Sequence, residues 1–128
     1  MERRKTCLRC GAKLKNKQRK FCSRKCQNDY QYEQFIKRWR LGLEDGRSGK
    51  YETSNHIHRY IKEKFENKCT RCGWNEVHLI TGNVPVQLEH RDGDFRNNRE
   101  RNLTLLCPNC HSLTETYCAL NKGKGRGK

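Results

Sequence analysis

The chain has 128 residues, with 29 Lys and Arg against 14 Asp and Glu, giving a formal charge of +15 and a pI near 9.7. Leu, Ile, Val and Phe together number 22, about 17 per cent, which at this charge excludes a large apolar core. No run approaches the roughly 18 to 20 apolar residues of a membrane span, and Met1-Glu2-Arg3-Arg4-Lys5 reaches Cys7 without an export-type apolar stretch, so neither a spanning nor a secreted protein is expected.

Nine cysteines offer another way to hold a fold. In a reducing compartment clustered thiols hold zinc more often than they form disulfides, and one structural zinc contributes about 10 to 16 kcal/mol of apparent binding energy. The first cluster is Cys7-x2-Cys10 with Cys22-x3-Cys26. It predicts a four-sulfur zinc module over residues 1–28, basic throughout and too small to fold without metal. Residues 1–40 carry a net +11 and the tail from Asn121 another +4, whereas 41–68 sum to +1 and 69–120 to −1. A near-neutral centre between cationic ends suits a polyanion gripped from outside the centre.

From Asp29 to Leu43 the apolar residues Tyr32, Phe35, Ile36, Trp39 and Leu43 recur at helical steps. This predicts a helix whose aromatic stripe packs rather than stacks on bases. Gly42 to Lys50, with three glycines and no apolar period, reads as a linker that closes a section over residues 29–50. Ser54 or Asn55 can cap a second helix to about Asn67, with Ile57, Tyr60, Ile61 and Phe65 on one face. Val84, Val86 and Leu88 alternate as a half-buried strand, Asp92-Gly93 begins a loop, and Leu103 to Leu106 forms another strand. A further helix is expected after Cys110, with His111 in its first turn and Glu115 one turn on. The tail 121–128 reads as a disordered basic arm.

Cys69-x2-Cys72 and Cys107-x2-Cys110 make two knuckles 34 residues apart that can complete one tetrahedral zinc site. The alternative is four unrelated buried thiols. Cys118 remains as a small hydrophobe on a terminal helix. Within this clamp stand Glu89-His90, a loop rich in Asn, and His111. Glu89-His90, Asn102-Leu103 and Leu106-Cys107-Pro108-Asn109-Cys110-His111 resemble the HNH endonuclease motif of ββα-metal nucleases with paired zinc knuckles, phage-encoded or free-standing and homing-type. The resemblance covers about Ser54 to Tyr117, within a domain set at 51–120.

The resemblance implies a small α+β, zinc-stabilised fold: a ββα-metal finger with flanking helices, beside an N-terminal module like a zinc ribbon or treble clef. It implies metal-dependent hydrolysis of phosphodiester bonds in DNA, with two structural zinc ions and one catalytic divalent ion, Mg2+, Mn2+, Ni2+ or Zn2+. Glu89 and His111 then hold the catalytic ion, one oxygen and one nitrogen, and His90 is the general base. Glu89 stands where the family often has aspartate. Asn102 is expected to hold the loop and orient His90, with Asn97 and Asn98 as rivals for that part, while His111 could instead ligate the structural zinc.

If Glu89 and His90 both lie in a regular strand they point to opposite faces, so a kink or strand end is expected there. Cys110 and His111, adjacent near a helix start, diverge by about 100 degrees, so one can serve each metal. His56, His58 and His78 have no ligand spacing and read as packing or surface groups. Lys13, Lys15, Lys17, Arg19, Lys20, Lys37, Arg38 and Arg40 are candidates for phosphate contact with double-stranded DNA. No membrane partner is expected, the setting is the cytoplasm (of a host, for a phage protein), and the chain is a monomer or dimer. The alternative function is a non-catalytic zinc protein that binds nucleic acid.

Overall fold

The computed structural model describes residues 5–15, 17–49, 52–115 and 117. In chain order these form helix α1 (Arg24–Arg40), a two-stranded antiparallel ribbon β1 (Arg47–Ser48) and β2 (Glu52–Thr53), helix α2 (Asn55–Lys64), strand β3 (Gln87–His90), a 3-10 turn (Glu100–Asn102), strand β4 (Leu103–Leu106) and a short helix α3 (Pro108–Ser112). This is a small α+β chain with two short sheets. Among the described residues no helix is long and apolar enough to cross a membrane.

Helix α1 starts five residues before the aromatic period does, because Ser23 caps it by accepting a hydrogen bond from the Cys26 N–H. It ends at Arg40. Leu43, expected on its apolar face, therefore lies beyond the helix and is 70 per cent exposed. Tyr32, Ile36 and Trp39 pack with Ile57 and Ile61 of α2 and with Val86, Leu103 and Leu105 of the hairpin region, flanked by Phe35, Tyr60, Phe65, Trp74, Val84 and Leu88. The aromatic stripe is thus core. Ser54 caps α2, accepting from the His56 N–H, and the helix stops at Lys64 with Phe65 as its C-cap, short of Asn67. Glu66 and Asn67 follow with positive φ, conformations that break the helical ladder.

The stretch 42–50 is more than a linker. Arg47 and Ser48 pair with Thr53 and Glu52, and Gly46 at φ +84 sits so close to Ile57 and Asn98 that no Cβ fits. Strand β3 begins later than the Val84–Leu88 alternation and runs through His90. Its register against β4 is Gln87↔Leu106, Leu88↔Leu105, Glu89↔Thr104 and His90↔Leu103. Helix α3 starts before Cys110, not after it: the Cys107 side chain caps it, accepting from the Cys110 N–H, and Pro108 occupies the first turn. It ends at Ser112, which leaves Glu115 exposed in a turn outside the helix. Cys118 and residues 121–128 lie outside the described residues.

Candidate active site and metal centres

Two sets of four cysteines come together: Cys7, Cys10, Cys22 and Cys26, and Cys69, Cys72, Cys107 and Cys110, each with its sulfur atoms within 4.8 Å of one another. Thiolates about 2.3 Å from one zinc stand about 3.8 Å apart on a tetrahedron. The observed Cys10–Cys22, Cys22–Cys26 and Cys72–Cys107 separations of 3.4, 3.6 and 3.7 Å match that edge. The chemistry of the donors also fits. Cys7 is drawn down to about 6, first by the backbone N–H of Cys10; Cys69 also falls to about 6, its burial outweighed by N–H groups of Cys107 and Cys72. Cys22, bonded to the Cys10 and Cys26 thiols, and Cys110, raised by burial, stand at about 12. One acidic thiol among hydrogen-bonded neighbours is a site that a cation completes by displacing the remaining protons. Both sets can therefore hold zinc.

The second set stands directly beside His111. Cys110 turns to the sulfur cluster, while His111, one residue on along α3, aims Nδ1 at Glu89 of β3, 2.6 Å from its Oε2. The carboxylate side chain is 11 per cent exposed and the imidazole 30 per cent. Tyr117 meets the His111 ring edge to face at 5.3 Å. Two ligands on one divalent ion at about 2.1 Å with a right angle between them are about 3 Å apart, so a few tenths of an ångström of opening would admit the ion. His111 is outside the sulfur set, which the four thiols already fill.

His90 lies on the other face of β3. The strand ends at His90, the expected strand end rather than a kink, and alternation sends Glu89 towards α3 and His90 inward, where it is 8 per cent exposed. The following turn is closed by Gly93 N–H donating to the His90 carbonyl at 2.9 Å and by Arg91 N–H donating to the Asn102 carbonyl at 2.7 Å.

Asn102 and its rivals divide the work differently from the sequence expectation. The Asn102 amide donates to Asp92 Oδ1 at 3.0 Å and to the Asn97 carbonyl at 2.8 Å, and its Oδ1 accepts from the Asp92 N–H at 3.2 Å. It ties the loop together. The side chain on His90 is that of Asn98, whose Oδ1 lies 2.7 Å from Nε2 and accepts also from the Thr53 hydroxyl at 3.1 Å. Asn102 ends the 3-10 turn that leads into β4, and its side-chain bonds are spent on Asp92 and Asn97. The Asn98 carbonyl accepts from Trp39 Nε1 at 2.7 Å, while its buried Nδ2 has no acceptor among the described residues. A buried donor without a partner costs about 1–3 kcal/mol. Asn97-Asn98 was visible in the sequence, but the partners that select Asn98, Thr53 and Trp39, come from distant elements.

Of the basic candidates, Lys13, Lys15, Lys17, Arg19 and Lys20 are exposed on the N-terminal module. Arg38 pairs with Glu44 at 3.1 Å and Arg40 with Glu100 at 3.2 Å, so their charge is partly neutralised, while Lys37 lies exposed in the same last turn of α1. His56 packs against Phe35 and Tyr32 at 5.1 and 5.9 Å, and His78 Nδ1 accepts from the Ile80 N–H at 3.1 Å. Neither approaches a metal site.

Comparison with known proteins gives two similarities. The chain is 45 per cent identical over 58 residues to the H-N-H endonuclease F-TflIV of Escherichia phage T5, covering 45 per cent of this chain and 25 per cent of that protein. It is 34 per cent identical over 64 residues to the Zorya protein ZorE of Escherichia coli, covering 50 per cent of this chain and 17 per cent of that protein. The chain thus spans a quarter or less of the length of these relatives. No family model matches it, and no solved structure does.

Proposed function

We propose that the chain is a metal-dependent H-N-H endonuclease hydrolysing phosphodiester bonds in DNA, a reading supported by its similarity to F-TflIV. The observation that carries this reading is the pairing of Glu89 and His111 at 2.6 Å beside a four-sulfur set. In this reading β3, β4 and α3 are the ββα-metal finger of a domain spanning 51–120, with residues 1–28 a separate zinc module of the ribbon or treble-clef kind.

Glu89 and His111 hold one divalent ion, which when bound polarises the phosphoryl oxygens and eases departure of the alkoxide. With such an ion present, His111 Nδ1 and a Glu89 carboxylate oxygen, which face each other here, would be its two protein ligands. His90, at the strand end, takes the proton of the attacking water as general base. Asn102 keeps the loop closed so that the strand end and α3 keep their spacing. The clamp of Cys69, Cys72, Cys107 and Cys110 fixes His111 by fixing Cys110.

Lys13, Lys15, Lys17, Arg19, Lys20, Lys37, Arg38 and Arg40 grip the backbone of duplex DNA. If about six phosphates are neutralised, log affinity falls against log salt with a slope near −5. A monomer with one reactive centre cuts one strand at a time. The cytoplasm, with its Mg2+ and reduced thiols, suits both metal sites.

The test is nicking of supercoiled plasmid by zinc-loaded protein with added Mg2+, Mn2+ or Ni2+. Wild type is expected to nick, and His90→Ala and Glu89→Ala to lose at least a hundredfold in rate with zinc content and plasmid affinity retained. Binding without nicking under every metal would favour the non-catalytic binder.

A further inference from the structure

We infer that Asn98, braced by Thr53, is the positioning residue that fixes the His90 ring with its proton on Nε2, leaving Nδ1 as the nitrogen that takes the proton from water. The inference rests on His90 being the base.

An imidazole that serves as a base must present a bare nitrogen to the water and have its other nitrogen protonated, and the partner of that second nitrogen decides which is which. Here the second nitrogen is Nε2, 2.7 Å from Asn98 Oδ1, in a position where His90 and Asn98 are 8 and 3 per cent exposed. Water does not compete for this bond. The same oxygen accepts from Thr53 Oγ1 at 3.1 Å, so a β2 hydroxyl and the Nε2–H converge on one acceptor. With its oxygen facing the ring, the amide supports both the neutral ring and the imidazolium that forms when Nδ1 gains its proton. Turned the other way, the amide would set N–H against Nε2 and oppose that cation.

The position of Asn98 is itself fixed from outside the hairpin. Trp39 of α1 donates to its carbonyl at 2.7 Å, and the absence of a side chain at Gly46 makes room for it: a Cβ there would stand 2.9 Å from Asn98 Cβ. The orphaned Nδ2 belongs to the same picture, since the amide is held by its oxygen while its amino group goes without an acceptor. Two elements that precede the zinc-clamped half, α1 and the β1–β2 ribbon, thereby reach the base through one side chain.

The experiment uses the full zinc-loaded chain. Long-range 15N–1H correlation of the histidine rings reads the tautomer of His90, assigned by its loss in His90→Ala, and plasmid nicking reads kcat and KM. Wild type is expected to show His90 protonated on Nε2. Asn98→Leu should lose that single tautomer and about a hundredfold in kcat with KM unchanged within about twofold, and Thr53→Val should lose about three- to tenfold. Asn98→Asp, which keeps an oxygen towards Nε2, should restore the tautomer and recover most of the lost rate. A wild-type ring protonated on Nδ1, an Asn98→Leu protein with undiminished kcat, or an Asn98→Asp protein as impaired as Asn98→Leu would overturn the inference. Should Asn98→Leu fail to fold, the wild-type spectrum and Thr53→Val decide. Undiminished nicking by His90→Ala rejects the base reading, while the ring spectrum still reports on the clamp.

Discussion

Replacing Trp39 by Phe deletes one N–H and trims one ring at the junction between α1 and the loop that carries Asn98. Trp39 is 6 per cent exposed, and its Nε1 donates to the Asn98 carbonyl at 2.7 Å. Phe leaves that buried carbonyl unpaired, at a cost of about 1–3 kcal/mol. The smaller ring forfeits about 1 kcal/mol more, the worth of one or two buried CH2 groups, although it can still meet Tyr60, now 5.5 Å away edge to face. The expected loss is about 2–4 kcal/mol, a large share of the roughly 5–15 kcal/mol that holds a domain folded. With a urea dependence of about 2 kcal/mol per molar, the midpoint should fall by about 1–2 M, followed by far-ultraviolet circular dichroism at saturating zinc. Plasmid nicking should slow at unchanged DNA affinity. A midpoint within about 0.3 M of wild type, or affinity falling in step with rate, would refute the argument that this bond holds the loop.

Gly46→Ala should cost about 2–4 kcal/mol in the same urea assay, because its Cβ would overlap Ile57 Cδ1 and press on Asn98 at a φ of +84; a neutral effect would show that the ribbon does not seat there. Cys110→Ala should reduce bound zinc from two equivalents to one and abolish cooperative unfolding of the clamped half, since about 10–16 kcal/mol of metal binding exceeds the net stability of most domains. Two equivalents retained in a metal-release titration would exclude the four-sulfur site. Asp29 accepts from Arg59 at 3.0 Å and is approached by Arg9 and Lys25, and the Arg59 hydrogen bond above all holds its carboxyl below the usual 3.8. A depressed folded value contributes stability above 3.8 that is lost as pH falls through it. The stability gap between wild type and Asp29→Asn should therefore be full at about pH 6 and close in acid below 3.8; a gap independent of pH would count against the ion pair.

Much of the molecule was legible in the order of its residues because the signals are local. Cysteine spacing pairs the thiols of both sulfur sets, since a knuckle is a property of four or five consecutive residues. Ile57 and Ile61, spaced by four, had to face inward together, and both are fully buried. Helix ends were less legible: Ser23 and Cys107 start α1 and α3 through single cap bonds that periodicity does not register. The register of β3 was also hidden, because the partners that set it, Leu103 and Thr104 among them, lie in β4.

By itself, then, the sequence determined which groups could do chemistry, an acid and imidazoles among the cysteine knuckles, together with the charge and the scarcity of apolar residues that leave only a small core. Only the tertiary structure decided how these groups are partnered: Glu89 with His111, Asn102 with the loop, and His90 with Asn98. The reason is range. Caps, knuckles and periods act over a few residues, whereas Asn98, which meets His90, is itself held by Trp39, Gly46 and Thr53, and these meet only when the helices and ribbon have closed over the hairpin.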